Sequence, residues 1–284
     1  MKKLGKFIIV LLTFILIMAT TLKALALDSG DEKKISISAE RKKWENDKVV
    51  YLTFDDGPTE NTLKILDILK NEGVHGTFFV IGELVEQNPE ILKKAAEEGH
   101  EICIHTYSHD NNIYTSKGKY IKDYEKAYEI VKATLNREPS KFMRMPGGSS
   151  TTIGRREVVK AIRDELTAEG LYYVDWNISL EDAIHQNTPV NTLLSTFRKE
   201  LKKSYIDPYT AIVLMHDGNS NTTTPRALPT VIKYFNDNGY TFKTFGEVSE
   251  GDFERLINQR HINKFNQEKC KYSKDSEGQI TPAM

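Results

Sequence analysis

Val49-Val50-Tyr51-Leu52-Thr53-Phe54-Asp55-Asp56-Gly57-Pro58 is the stretch from which the rest of this 284-residue chain is read. A β-favouring apolar run ends in two carboxylates and a Gly-Pro stop, which predicts a strand closed by a tight turn. Downstream, Thr62 to Lys70 places Leu63, Leu66, Ile68 and Leu69 on one helical stripe. The same unit then recurs. Thr77 to Ile81 reads as a strand, and Asn88-Pro89 opens a helix, with Asn as cap, that Gly99 closes. Glu101 to Ile104 is a strand running into His105. Tyr120 to Leu135 is helical, Phe142 to Arg144 a short strand, and Arg156 to Glu169 a helix stopped by Gly170. Leu171 to Val174 is a strand ending at Asp175-Trp176, followed by a helix over Val190 to Lys203. Ala211 to Met215 is an apolar strand ending at His216. A helix over Arg226 to Asn238 and a last strand at Thr241-Phe242 complete the alternation. Repeated βα units predict an α/β fold with parallel strands covered on both faces. Six or more units in one domain favour a (β/α) barrel, distorted or incomplete, over an open sheet.

Upstream the composition changes. Met1 to Lys6 is basic, Phe7 to Leu22 is apolar and uncharged, and Ala24-Leu25-Ala26 fits a small-x-small cleavage site. The apolar run is short for a membrane span, so residues 1–26 are expected to be a signal peptide, with an uncleaved N-terminal anchor as the alternative. Either places the globular part at the cell surface or in the secreted fraction. Residues 27–46 read as a polar linker, 47–250 as the catalytic domain, and 251–284 as a polar C-terminal tail, or a terminal helix, of low functional content. The net charge of −1 gives no electrostatic footprint for nucleic acid. Cys103 lies in an apolar strand and Cys270 in the polar tail. Two cysteines so placed make no disulfide framework, and neither is placed as a catalytic thiol.

Chemistry-bearing residues fall at strand ends. Asp55, His105, Arg144, Asp175 and His216 each lie at or just past the C-terminal end of an expected strand. In a parallel barrel these ends share one face, where active sites form. Alone, Asp55-Asp56-Gly57-Pro58 is ordinary turn chemistry, and His105-Thr106-Tyr107-Ser108-His109 is a weak motif. Together they offer an Asp/His/His set and a spare carboxylate, a donor mix suited to a divalent ion such as zinc. Such a site with an open position points to metal-dependent hydrolysis. Arg144-Met145-Pro146-Gly147-Gly148 combines an arginine able to hold a carboxylate with exposed N–H groups able to bind an oxyanion. Asp175-Trp176 is either a cap and a core aromatic, or an orienting carboxylate and a pocket wall. His216, at the same rim, is a candidate general acid.

In this order, Thr-Phe-Asp-Asp-Gly-Pro, His-Thr-x-x-His, Arg-x-Pro-x-Gly, Asp-Trp and Leu-x-His resemble the five motifs of the polysaccharide deacetylases. The match to this NodB-homology domain, carbohydrate esterase family 4, spans roughly residues 47 to 250. The resemblance implies a distorted (β/α) barrel that removes N- or O-acetyl groups from sugar polymers. It implies Asp55 as general base, and Asp56, His105 and His109 as ligands of one divalent ion, zinc or alternatively cobalt or another metal. It implies Arg144 as the residue holding the base, and Asp175 as the partner tuning the acid His216. Leu214 and Trp176 would wall the acetyl pocket, and the Gly147 N–H would bind the oxyanion. Many relatives carry Tyr in place of Gly147, so a side-chain wall is missing here. The context of these motifs suggests peptidoglycan N-acetylglucosamine as substrate, with chitin oligomers or acetyl-xylan as alternatives. The expected partners are the acetylated polysaccharide and, through the N-terminus alone, a transient membrane; the protein is expected to be a monomer. A catalytically silent sugar-binding or wall-scaffold relative is the contrasting expectation, and intact Asp55 and His216 argue against it.

Overall fold

A computed structural model describes residues 47–203 and 208–269, with the backbone of 272–274 and 280–282. The expected signal peptide and linker, and Cys270, lie outside the described residues. The strands are β1 (Val49–Gly57), β2 (Thr77–Val80), β3 (Glu101–Ile104), β4 (Phe142–Met143), β5 (Tyr172–Tyr173), β6 (Ile178–Ser179), β7 (Thr210–His216) and β8 (Thr241–Phe242). The helices are α1 (Glu60–Glu72), α2 (Gly82–Gln87), α3 (Pro89–Glu97), α4 (Lys117–Leu135), α5 (Arg156–Ala168), α6 (Val190–Glu200), α7 (Thr224–Asp237) and α8 (Glu250–Asn258). A short antiparallel pair, Tyr272–Lys274 with Ile280–Pro282, lies beyond them.

All pairs in the main sheet are parallel, in the order β5-β4-β3-β2-β1-β7-β6. β8 pairs separately with the start of β1. The two outer strands of this order do not pair with each other, so the barrel is incomplete. β1 is central and fully paired. Its residues Val49 to Asp55 match Thr210 to His216 of β7, and Thr53 to Gly57 match Thr77 to Val80 of β2. This register brings Asp55 beside His216. Past the strand ends the ladder continues, with His105 N–H donating to Val80 O at 2.8 Å and Arg144 N–H to Ile104 O at 3.1 Å. The rim residues are thus fixed by backbone bonds.

Alternation along β1 explains why both faces are dry. Val50, Leu52 and Phe54 join a core formed with the helices, whereas Val49 and Tyr51 face a second core. That second core gathers Phe79, Cys103, Phe142, Tyr172 and Ile212 from five other strands. The inner face therefore meets itself across the curl, as a barrel requires. Phe245, Phe253 and Leu256 fill what the strands leave open. Tyr51 stacks on Phe245 at 4.8 Å, and Tyr172 meets Phe253 edge-on at 4.8 Å.

A terminal helix is present, but the bound of the domain at residue 250 is corrected. Residues 250–266 belong to the packed domain. Ser249 caps α8 in a reciprocal box with Asp252, and Phe253 and Leu256 are fully buried. Beyond α8, Ile262 bridges Val174. Asn263 Oδ1 accepts from Tyr173 N–H at 2.8 Å while its Nδ2 donates to Leu171 O at 3.1 Å. The open edge at β5 is covered by these residues. Two smaller corrections concern the helices. Asn88 precedes Pro89, but its side chain donates to Pro58 O and Leu84 O and does not cap α3. The inward stripe of α1 is centred on Ile65, Leu66 and Leu69, with Leu63 and Ile68 at its flanks.

Candidate active site

The β1 end supplies two carboxylates with different surroundings. Asp55 is buried, and its Oδ1 accepts from the Arg144 guanidinium at 2.7 Å. That guanidinium is itself buried and fixed. Nε donates to Val174 O, NH1 also to Thr53 Oγ1, and the group lies 4.1 Å from the Phe79 ring centroid. Burial alone would raise the Asp55 pKa. The Arg144 charge, with His105 and His216 behind it, reverses this and holds the carboxyl below its ordinary value.

Asp56 turns the other way, because its backbone is left-handed at φ 76°. Its Oδ1 lies 3.7 Å from His105 Nε2 and 3.5 Å from His109 Nε2. His105 Nδ1 is 2.7 Å from Arg144 O. A carbonyl only accepts, so Nδ1 carries the proton and Nε2 presents a lone pair. Burial depresses the His105 pKa, which favours that neutral ring. The His105–His109 loop is anchored from α4, where Asp123 accepts from Tyr107 N–H at 2.7 Å and from the Ser108 hydroxyl at 2.7 Å. Asp123 carried no signal in the sequence beyond its helical position.

Donor atoms of Asp56, His105 and His109 all lie within 4.8 Å of one another. Asp56 Oδ1 is buried with no hydrogen-bond partner among the described residues. A bare buried carboxylate oxygen facing two imidazoles fits a cation.

His216, at the β7 end, is held by a residue the sequence did not single out. Its Nδ1 is 2.8 Å from Asp182 Oδ1, and its backbone N–H donates to Asp182 Oδ2 at 2.8 Å. Asp182 also accepts from Thr224 Oγ1 at 2.7 Å. Burial would lower the His216 pKa, but the Asp182 bond and charge, then Asp55 and Asp56, raise it to about 9. Nε2 is left to face the site.

Asp175 does not perform that service. Its Oδ1 accepts from Ser149 N–H at 2.8 Å and its Oδ2 from the Ser149 hydroxyl. It therefore braces the turn after Arg144. The physical reason is the path of the chain: Asp175 follows β5 at one end of the sheet, whereas His216 lies beside β1 and β6. Gly147 has φ 75°, and a β-carbon there would approach Thr151 Oγ1 to 2.9 Å. A side chain at this position is opposed on both counts. Trp176 packs over Gly148, 3.0 Å from where a β-carbon would stand, with its ring 5.6 Å from the Arg144 guanidinium. Leu214 is buried on β7, paired with Thr53.

The model of the polysaccharide deacetylase family matches residues 42–163. A peptidoglycan-N-acetylglucosamine deacetylase of Bacillus cereus is 30% identical over 210 residues, covering 72% of this chain and 91% of that protein. The chain belongs to the polysaccharide deacetylase family. Solved structures of deacetylase relatives agree with the fold. A Streptococcus mutans CE4 esterase superposes with a TM-score of 0.63 at 32% identity, over 73% of this chain and 90% of that one. The catalytic domain of a peptidoglycan N-acetylglucosamine deacetylase from Eubacterium rectale gives 0.63 at 32%, over 70% and 89%. Some polysaccharide deacetylases are longer, and the chain spans 40% of one from Listeria monocytogenes. As a deacetylase, the chain is a hydrolase with an incomplete parallel barrel. Asp55, Asp56, His105, His109 and Arg144 lie within the matched residues, and His216 lies beyond them. The carboxylate bonded to His216, however, is Asp182.

Proposed function

We propose that this chain is an extracytoplasmic deacetylase that removes the N-acetyl group from N-acetylglucosamine residues of peptidoglycan, using one divalent ion, best matched by zinc. One observation carries the reading: a carboxylate held ionised, an imidazole held protonated and an Asp/His/His donor set converge on one rim. The names of the relatives support the substrate, and the basic-then-apolar N-terminus supports the location.

Asp56, His105 and His109 would hold the ion, which when bound acidifies water and polarises the acetyl carbonyl. Asp55, kept ionised by Arg144, takes the proton of the attacking water. The Gly147 N–H donates to the oxygen that gains charge as the carbonyl becomes tetrahedral. His216 carries a proton on Nε2 and delivers it to the leaving nitrogen, since an amine departs far more readily than an amide anion. Asp182 fixes the ring and favours its protonated form. Trp176 and Leu214 border the acetyl group. Acetate and a free amino sugar result.

Acetate release from purified peptidoglycan, compared with chitin oligomers and acetyl-xylan, tests the reading. Turnover should be highest on peptidoglycan, vanish on chelation and return with zinc. Turnover that resists chelation sinks the cation dependence, and a preference for acetyl-xylan sinks the substrate.

A further inference from the structure

Behind the turn that carries Asp55 and Asp56 lies a carboxyl group with no part in the chemistry above. Asp217 follows His216 and is fully buried. Four hydrogen bonds tie residues 217–218 to the β1 turn and the start of α1. Asp217 N–H donates to Asp55 O at 2.9 Å. The Thr59 hydroxyl donates to Asp217 O at 2.5 Å, and the Thr62 hydroxyl to Asp217 Oδ2 at 2.5 Å. Asn61 Nδ2 donates to Gly218 O at 2.8 Å. The Asp217 carbonyl only accepts, so the Thr59 hydroxyl donates to it, and the Asp217 carboxylate, when ionised, likewise only accepts; each threonine oxygen in turn accepts a backbone N–H, Thr59 from Asn61 and Thr62 from Thr59. Their own protons therefore go to Asp217.

The same carboxyl group presses on Gly57. A β-carbon at that residue would lie 2.1 Å from Asp217 Oδ2, so no other residue fits there with Asp217 in place. Asp56 sits between the bonded Asp55 carbonyl and this contact, in the left-handed region that side-chain-bearing residues seldom occupy. Such a conformation persists where the surroundings over-determine it. Filling the space with a carboxyl is costly, since Asp217 Oδ1 has no hydrogen-bond partner among the described residues. An apolar side chain would fill it without that cost. What an apolar group lacks is the acceptor for Thr62.

We propose that Asp217 is a positioning residue that clamps the Asp55–Gly57 turn in the bend aiming Asp56 Oδ1 at His105 and His109, so that cation affinity depends on a carboxyl group outside the cation's reach. The inference rests on the reading of Asp56, His105 and His109 as ligands.

The test is the zinc dissociation constant of the purified protein, measured by competition with a chromophoric chelator, alongside thermal unfolding of the zinc-free form. Asp217→Ala should weaken zinc binding about 10–100-fold, the effect of losing a group that orients a ligand, while Asp217→Asn, which keeps an oxygen for Thr62, should stay within about threefold of the parent. A purely structural role would lower the melting temperature of both variants without separating their zinc affinities. If Asp217→Ala does not fold, Thr62→Val removes the same hydrogen bond, together with the one Thr62 accepts from Thr59 N–H, at nearly constant volume and should weaken zinc binding likewise. Parental zinc affinity in folded Asp217→Ala, or in Thr62→Val when the alanine variant does not fold, overturns the clamp alone. A parent protein that binds no zinc overturns the ligand reading itself, and the clamp with it.

Discussion

Two buried carboxylates stand against cations in this molecule with opposite consequences. Asp55 pairs with Arg144, a group always charged, and the result is a carboxyl held ionised. Asp182 pairs with His216, whose charge is conditional, and the result is an imidazole that keeps its proton to about pH 9. The same residue type thus yields a base on one side of the rim and an acid on the other. Pairs of titratable groups pushed apart by their environments are what acid–base catalysis needs. The comparison also shows where specificity of role resides: in the partner's chemistry and not in the aspartate.

Four substitutions break or sharpen that contrast. The largest effect is expected from Asp55→Asn, which preserves shape and removes the proton acceptor. Turnover should fall about 10²–10⁴-fold, the usual worth of a general base. Zinc stoichiometry should remain that of the parent, so loss of the metal would move Asp55 from base to ligand. Next, His216→Ala should lower turnover by about 10²-fold or more with zinc retained. An unchanged alkaline limb in its pH–rate profile would show that the proton comes from another group.

Asp182→Asn should have a smaller effect at neutral pH but a diagnostic one on the profile. The acid works while His216 is protonated, so activity fails as pH rises through its pKa. With the Asp182 charge gone, that limb should move from near 9 toward the ordinary 6.5 of imidazole. An unmoved limb would remove Asp182 from its role. Smallest is Asp175→Asn, which should loosen the Ser149 turn and leave the alkaline limb where it was. A downward shift equal to that of Asp182→Asn would reinstate Asp175 as the partner of His216.

The rim was legible because its residues terminate strong apolar runs. Val49 to Phe54, Ile102 to Ile104 and Ala211 to Met215 declare themselves as strands, and Asp55, His105 and His216 follow directly. Asp182 was not legible for the converse reason. It comes three residues after Ser179, in a loop beyond a strand of two residues, with no periodic pattern to place it. Asp175-Trp176 reads as an orienting carboxylate and a wall because a clear strand precedes it. Nothing in local pattern says that this strand lies at the far end of the sheet from β7. Asp217 was hidden by proximity, being overshadowed in the sequence by His216. The segment after Ser249 reads as polar because its apolar residues, Phe253, Leu256 and Ile262, are few among charges. Their meaning comes only from the aromatic floor they meet.

That segment carries a consequence for how the protein behaves outside its native state. Val174, Tyr173 and Leu171 offer backbone groups that Ile262 and Asn263 occupy. A chain ending at Ser249 would keep every rim residue discussed above and still lose this cover. Strand β5 would become a bare template for another molecule's backbone, beside the newly uncovered Tyr172 and Phe142 rings. Such a truncated protein, which also loses Phe253 and Leu256 from the inner core, should be less stable and prone to intermolecular pairing. Residues 250–266 therefore cover a strand edge that would otherwise be open to pairing with another molecule.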